Sequence, residues 1–293
     1  MSQINILIIS IRPKHWVKNL FIFAPLLFSK QIFDVPSVFK ATFGFIVYCM
    51  VAGTVYLFND IKDREEDQKH PLKKLRPIAS GELNICTAFS VAVGLGILGL
   101  VFAFILSRNF SYIVGGYIVL QILYSLVLKH VVILDVFCVA AGFFARVVGG
   151  ALAINAEISY WLIICTILLS LFLSLAKRRH EQVVLGENSG DHRKILAEYS
   201  PYLLDQMIGV VTATTLISYI LYTVSPDTVV KFGTHGLVGT FPFVLYGIFR
   251  YLYLIHQKQL GGNPETLFLS DKPLFVNMIL WGIASFFIIY ILR

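Results

Sequence analysis

Nine apolar runs, each near the length that crosses a bilayer, constrain this chain more than any other feature. They cover residues 16–33, 38–58, 85–106, 112–128, 131–154, 158–176, 203–224, 237–255 and 274–292. A spanning helix needs about 20 mostly apolar residues, because lipid offers no partners to bare backbone groups. Composition agrees: 57% of the chain is hydrophobic and 14% charged, against about 45–50% and about 25% in soluble domains. The expected fold is therefore all-α, a polytopic membrane protein with nine transmembrane helices in one domain, 1–293. Pro25 and Pro242 interrupt two runs, which spanning helices tolerate where neighbours satisfy the freed carbonyls.

The basic residues predict an orientation. With a cytoplasmic N-terminus, that side collects Arg12, Lys14, Lys18, all the cations from Lys62 to Arg76, Lys129, Lys177, Arg178, Arg179, Arg193, Lys194, Lys258 and Lys272. The opposite connections hold Lys30, Lys40, Arg108, Lys231 and Arg293. Lys and Arg concentrate on the cytoplasmic side of membrane proteins. The net charge of +7 is spread between apolar runs, which suits an anionic leaflet or anionic substrates and not nucleic acid. Cys49, Cys86, Cys138 and Cys165 lie in or beside apolar runs without a CxxC pair, so they read as small core hydrophobes. Residues 1–10 are apolar, but Arg12, Lys14 and Lys18 follow with no small-residue cleavage pattern. That argues against a cleaved leader.

Two polar connections stand out, 59–84 and 177–201. The first opens NDIKDREEDQKHPLKKLRPIASG. Asn59, Asp63 and Asp67 are four apart, and Asp60 is three before Asp63. On a continuing helix these oxygens share a face. Mg²⁺ takes one or two carboxylates and completes its shell with water and substrate phosphate. Acids beside Lys69, Lys73, Lys74 and Arg76 suit a metal–pyrophosphate site, the cations meeting oxygens that the metal does not reach. A merely solvated loop would not start its acids where an apolar helix ends, a costly position. Glu65 and Glu66 point elsewhere and should stay solvated. His70 reads as a hydrogen-bonding loop residue. The prolines after His70 and Arg76 force extended or turn geometry on both.

NDxxDxxxD followed by HPxKxxRPIASG resembles the first signature of the UbiA superfamily of intramembrane prenyltransferases. With RPKHWVKN ahead of it, the chain is most similar to the decaprenyl-phosphate phosphoribosyltransferase branch. The resemblance implies a nine-helix bundle with a cytoplasmic polar cavity. It also implies Mg²⁺-dependent transfer of 5-phosphoribosyl from phosphoribosyl pyrophosphate to a polyprenyl phosphate. The metal would be held by Asn59, Asp60, Asp63 and Asp67, in a bacterial inner membrane with the site on the cytoplasmic side. A homo-oligomer is compatible with this pattern.

Lys14 and Lys18 are four apart, so on an α-helix they share a face, with Asn19 adjacent. A positive-inside anchor with Trp16 at the interface accounts for Trp16, and Arg12 stands between that anchor and phosphate binding. The resemblance moves Lys14, Lys18 and Asn19 towards phosphate binding, and Lys18, with Asn59 and Asp63, towards catalysis. The second polar connection begins AKRRHE. Typical UbiA members carry a second aspartate motif there; this chain has Lys177, Arg178 and Arg179, with Glu181 as the nearby acid. One acidic motif holds one metal, and cations must meet the remaining phosphates. The resemblance assigns Lys177 and Arg178 to substrate. Asp191 and His192 are adjacent and do not face one ligand.

Asp135 and Arg146 are eleven residues apart, about three turns, and share a helix face. Charges in spanning segments face the interior, so Arg146 should meet substrate phosphate or a neighbouring acid. Asp135 also reads as a first-turn dipole partner. Tyr124 and Ser125 lie near the end of the fourth run, within reach of the cavity. Arg250 reads as interfacial with Tyr251 and Tyr253, and Glu265 and Asp271 as loop polar groups. Two other functions remain open on residues alone: prenyl transfer from a prenyl pyrophosphate to an aromatic acceptor, and anion transport. Transport calls for an inverted repeat with broken helices, which the sequence does not display.

Overall fold

The computed structural model describes residues 3–70, 73–185, 194–262, 267–268 and 270–292. Pro71, Asp191, His192 and Glu265 lie outside them. The described residues carry helices and no strand, and they form two compact units, Met1–Ile158 and Ser159–Arg293. Eight helices among them are long and apolar enough to cross a membrane.

In the first unit a short helix α1 (Gln3–Ser10) leads into a 3-10 segment, Pro13–Phe23, then α2 (Ala24–Phe28) and the long α3 (Val35–Lys62). The first apolar run, 16–33, is therefore not a spanning α-helix. Pro25 has no N–H to give the carbonyl of Phe21, which takes the Ala24 N–H in a 3-10 contact instead. Asp34 starts α3 by accepting from the Ser37 N–H at 3.0 Å, with Pro36 in the first turn. The chain continues through α4 (Arg64–Lys69), α5 (Pro77–Ser80), α6 (Ile85–Leu106), α7 (Arg108–Leu126) and α8 (Leu134–Ala153).

Small residues let these helices meet. Ala88, Ala92, Gly96, Gly99 and Ala103 form the buried stripe of α6. A Cβ at Gly99 would sit 2.7 Å from a Val51 methyl of α3, and Thr54 of α3 donates to the Ala92 carbonyl at 3.1 Å. In membranes such stripes bring backbones close enough for dispersion and hydrogen bonds to hold the pair. Gly150 of α8 makes the tightest approach. A Cβ there would lie 2.1 Å from the carbonyl oxygen of Ile22, so only glycine lets the 3-10 segment run against α8.

The second unit contains α9 (Tyr160–Leu185), α10 (Pro201–Val224), α11 (Pro226–Phe232), α12 (Phe241–Gln257) and α13 (Lys272–Tyr290). Tyr219 of α10 shares a hydrogen bond with Thr240 at 2.7 Å and accepts from Trp281 of α13 at 2.9 Å. Asp271 caps α13 through the Leu274 N–H at 2.9 Å and receives a two-pronged contact from Arg250 at 3.1 and 2.7 Å. Arg250 also lies 5.1 Å from the Tyr253 ring centroid.

Candidate active site

The site grows from the C-terminal end of α3. The helix closes at Asp63, whose backbone leaves helical geometry at φ −91° and ψ 10°, and α4 restarts one residue later. The acids sort onto two sides of this break. Asp60 pairs with Arg12 and with Arg76, the latter at 3.1 Å. Arg76 also reaches Asp67 at 2.5 Å through the same Nη1 atom. The Asp60 and Asp67 side chains are each 3% exposed. Asn59 and Asp63 face elsewhere. Ser125, near the end of α7, donates to the Asn59 side chain at 2.9 Å, and Lys129 donates to Asp63 at 2.6 Å.

This corrects the single-face reading of residues 59–67. Asp67 joins Asp60, not Asn59 and Asp63, because the break at Asp63 turns the chain. Among the described residues no three His, Cys, Asp or Glu side chains gather as a metal-holding group. The donor chemistry at Asn59 and Asp63 still suits a hard cation: a carboxamide and a carboxylate oxygen, with Asp63 18% exposed. Glu65 and Glu66 are exposed, as expected.

Around this centre the loop takes the turns its prolines dictate. Arg76 is extended (φ −67°, ψ 140°) ahead of Pro77, and Gly81 ends α5 at φ 83°. The ring of His70 accepts the Lys73 N–H at 3.3 Å, a loop role. Lys73 sits in a short 3-10 turn, half-buried.

The N-terminal signature is arranged differently from expectation. In a 3-10 helix, with three residues per turn, residues four apart point about 120° away from each other. Lys14 and Lys18 thus lose their common face, and Lys14 is exposed while Lys18 is half-buried. Asn19 is buried and accepts from Arg146 Nε at 2.7 Å, while its amide reaches Cys49 Sγ at 3.3 Å. Arg146 also donates to the Gly142 carbonyl at 2.7 Å and the Tyr117 hydroxyl at 3.0 Å. Its guanidinium lies 4.8 Å from the Tyr117 ring centroid and 5.6 Å from that of Tyr48. No carboxylate appears among these contacts. The structure joins Asn19 and Arg146 to each other, tying the 3-10 segment to α7 and α8. Asp135 is fully buried in the first turn of α8. Tyr124 is half-buried on α7, beside the Ser125 that touches Asn59.

Lys129 and Tyr117 are the contacts that sequence reading did not assign to the site, and Arg12 it left between an anchor and phosphate binding. For Lys129 a signal existed: a lone cation between two apolar runs, noted only for orientation. Tyr117 gave none beyond its aromatic character.

A family model described as the UbiA prenyltransferase family matches residues 20–279. The chain belongs to that family. UbiA membership makes it a transferase, and with eight spanning-length helices among the described residues it is an integral membrane protein. A decaprenyl-phosphate phosphoribosyltransferase from Corynebacterium glutamicum is 31% identical over 97% of this chain and 86% of its own length. The enzyme of the same name from Mycolicibacterium smegmatis is 32% identical over 96% and 92%. A UbiA homolog from Archaeoglobus fulgidus, solved with DMAPP and Mg²⁺, shares the fold with a TM-score of 0.74. It is 17% identical and covers 97% of this chain and 99% of that one.

In the second unit of this UbiA chain, the KRR cluster is part of α9. Arg178 is buried and pairs with Glu181; Arg179 pairs with Asp205 of α10, at 2.5 and 3.3 Å. Lys177 is half-buried. Asp271, expected as a loop polar group, is a helix cap and ion-pair partner. Its carboxyl is held below the usual carboxylate range by the Arg250 guanidinium, with help from the Leu274 N–H.

Proposed function

We propose that this UbiA-family transferase moves 5-phosphoribosyl from phosphoribosyl pyrophosphate to a polyprenyl phosphate and releases pyrophosphate. The observation that carries this reading is near full-length similarity, at 31–32% identity, to enzymes named for that reaction. The charge arrangement is consistent with it. Acids at the end of α3 are accompanied by Arg12, Arg76 and Lys129. Where UbiA members typically carry a second aspartate motif, this chain has Lys177, Arg178 and Arg179.

In the reaction the bond from ribose C1 to the pyrophosphate oxygen breaks, and a bond from C1 to an oxygen of the lipid phosphate forms. The acceptor is already an anion, so no strong general base is required. The chain's task is to hold two anionic partners together and to meet the charge that develops on the leaving pyrophosphate. Arg12 and Arg76 receive pyrophosphate oxygens, and Lys129 meets an oxygen near Asp63. Lys18 and Lys14 serve the lipid phosphate or the 5-phosphate. Asn19 and Arg146 keep the segment carrying Lys14 and Lys18 in register. Asn59 and Asp63 hold Mg²⁺, which neutralises leaving-group charge when bound. The fold is one integral-membrane domain, 1–293, in a bacterial inner membrane, with the N-terminus and the site on the cytoplasmic side.

Purified protein with Mg²⁺, phosphoribosyl pyrophosphate and decaprenyl phosphate should release pyrophosphate and form a phosphoribosylated lipid. Turnover of a prenyl pyrophosphate with an aromatic acceptor, and none of the ribosyl donor, overturns the reading.

A further inference from the structure

We propose that Asp60 is a positioning residue that orients Arg12 and Arg76 as a paired receptor for pyrophosphate, and that it is not a metal ligand. The inference rests on the reading above for the identity of the donor, and it assigns the pyrophosphate end of that donor to named groups.

The observations converge on one carboxylate. Arg12 and Arg76 both contact Oδ1 of Asp60. They come from segments far apart in sequence, the start of the 3-10 segment and the residue before α5. The Asp60 side chain is 3% exposed, whereas those of Arg12 and Arg76 are 21% and 25% exposed. The acid thus lies beneath and the guanidinium groups lie towards the outside. Arg12 engages Asp60 through Nη2, and Arg76 through the Nη1 that Asp67 also holds, at 2.5 Å. A guanidinium carries five N–H donors in a rigid fork. One nitrogen fixed on a buried acid therefore sets the direction of the rest.

The backbone adds an independent sign. Arg12 occupies the left-handed region, φ 52° and ψ 64°, which a residue with a Cβ rarely adopts. Strain of this kind persists where surrounding contacts over-determine it. Here the contacts are the Asp60 ion pair and the Tyr56 ring, whose centroid is 5.0 Å from the Arg12 guanidinium carbon. The Arg12 backbone, held also by its bonds to Ile9 and His15, brings this side chain to Asp60. Asn59 and Asp63, on the other side of the helix end, keep their own partners Ser125 and Lys129. The division leaves Asp60 surrounded by cations of its own chain.

The test uses full-length protein in detergent and two probes that need no turnover. Pyrophosphate binding is measured in EDTA, so that the protein's cations alone are read. Mn²⁺ binding is measured by electron paramagnetic resonance. Asp60→Asn should weaken pyrophosphate about tenfold, the scale of a lost charge-assisted contact, and leave Mn²⁺ affinity within about twofold. Asp63→Asn should weaken Mn²⁺ by about tenfold or more, as loss of a direct ligand does. On an Arg12→Ala/Arg76→Ala background, Asp60→Asn should add less than about twofold, because it acts through those side chains.

Unchanged or tighter pyrophosphate binding in Asp60→Asn overturns the proposal, since that is the behaviour of a background negative charge. Mn²⁺ loss equal to that of Asp63→Asn also overturns it. If Asp60→Asn does not fold, Arg76→Lys decides: it keeps the charge and loses the fork, so unaltered pyrophosphate binding sinks the idea. Failure of the wild type to use phosphoribosyl pyrophosphate removes the reading of the previous section and leaves these binding tests standing.

Discussion

Asp63 is the residue on which the two sides of the site turn. It ends α3, receives Lys129 at 2.6 Å and sits four residues after Asn59. Its carboxylate is more exposed than those of Asp60 and Asp67, at 18% against 3%, which suits a group that meets a ligand. Asp63→Ala should lower turnover by about 10²-fold or more, the scale of a lost electrostatic stabiliser at a reacting centre. Helicity by circular dichroism should be unchanged, because the backbone bond from Asp63 N–H to the Asn59 carbonyl remains. Wild-type pyrophosphate release by this variant would remove Asp63 from the metal role. Arg146 illustrates a different residue-scale lesson. Sequence physics said that a charge in a spanning helix faces inward, and it does. What it meets there is carboxamide, carbonyl, hydroxyl and ring faces. Cation–π and dipole contacts have no sequence signature comparable to an acid–base pair, so the partner was not legible.

At the scale of elements, the runs 85–106, 131–154 and 274–292 were legible because continuous apolar length is itself the signal. The first run was not. Its hydropathy counts residues, whereas its backbone form is decided by Pro25 and by the contact of Ile22 with Gly150. Gly150→Val tests that contact. A side chain there must displace the Ile22 carbonyl, and overpacking of this kind costs about 1–3 kcal/mol. The variant should melt earlier than wild type and lose activity, since the 3-10 segment carries Lys18 and Asn19; unchanged melting and turnover would show that the two backbones can part freely. The Arg250–Asp271 pair makes a second element-scale prediction. The Asp271 carboxyl lies below its usual range because Arg250 favours the charged form. A group depressed on folding stabilises above its unfolded pKa and loses that contribution as pH falls through the folded value. Asp271→Asn keeps a capping side chain for α13 but loses the ion pair. It should therefore be less stable than wild type at neutral pH, and the difference in melting temperature should shrink as pH falls through and below the ordinary carboxylate range. A difference that stays constant as the pH is lowered would rule out the pair as its source.

Across the whole molecule, the acid-rich start of the 59–84 connection reads from sequence as a metal–pyrophosphate site, its cations kept for the phosphates. The structure shows another way to balance it. Asp60, Asp63 and Asp67 already have Arg12, Arg76 and Lys129 as partners, drawn from three separate parts of the first unit. That redistribution was hidden because residues 12, 76 and 129 are distant in sequence and their pairing depends on the fold. It has a consequence for the entire bundle. A metal that organised unpaired acids would be part of the folding energy, as in small metal-dependent domains. A metal that arrives with substrate phosphate would not, because without that phosphate Asn59 and Asp63 offer it few ligands. EDTA should therefore abolish turnover of the donor while moving the melting temperature of ligand-free protein by less than about 2 °C, the shift that about 1 kcal/mol makes in a protein of this size. A melting temperature that falls by more than about 5 °C in EDTA and recovers with Mg²⁺ would mean that the metal binds the resting protein tightly. In that case the arginine and lysine pairs would have to part to admit it. Differential scanning fluorimetry across an EDTA and Mg²⁺ series, run beside pyrophosphate release on the same samples, separates the two arrangements.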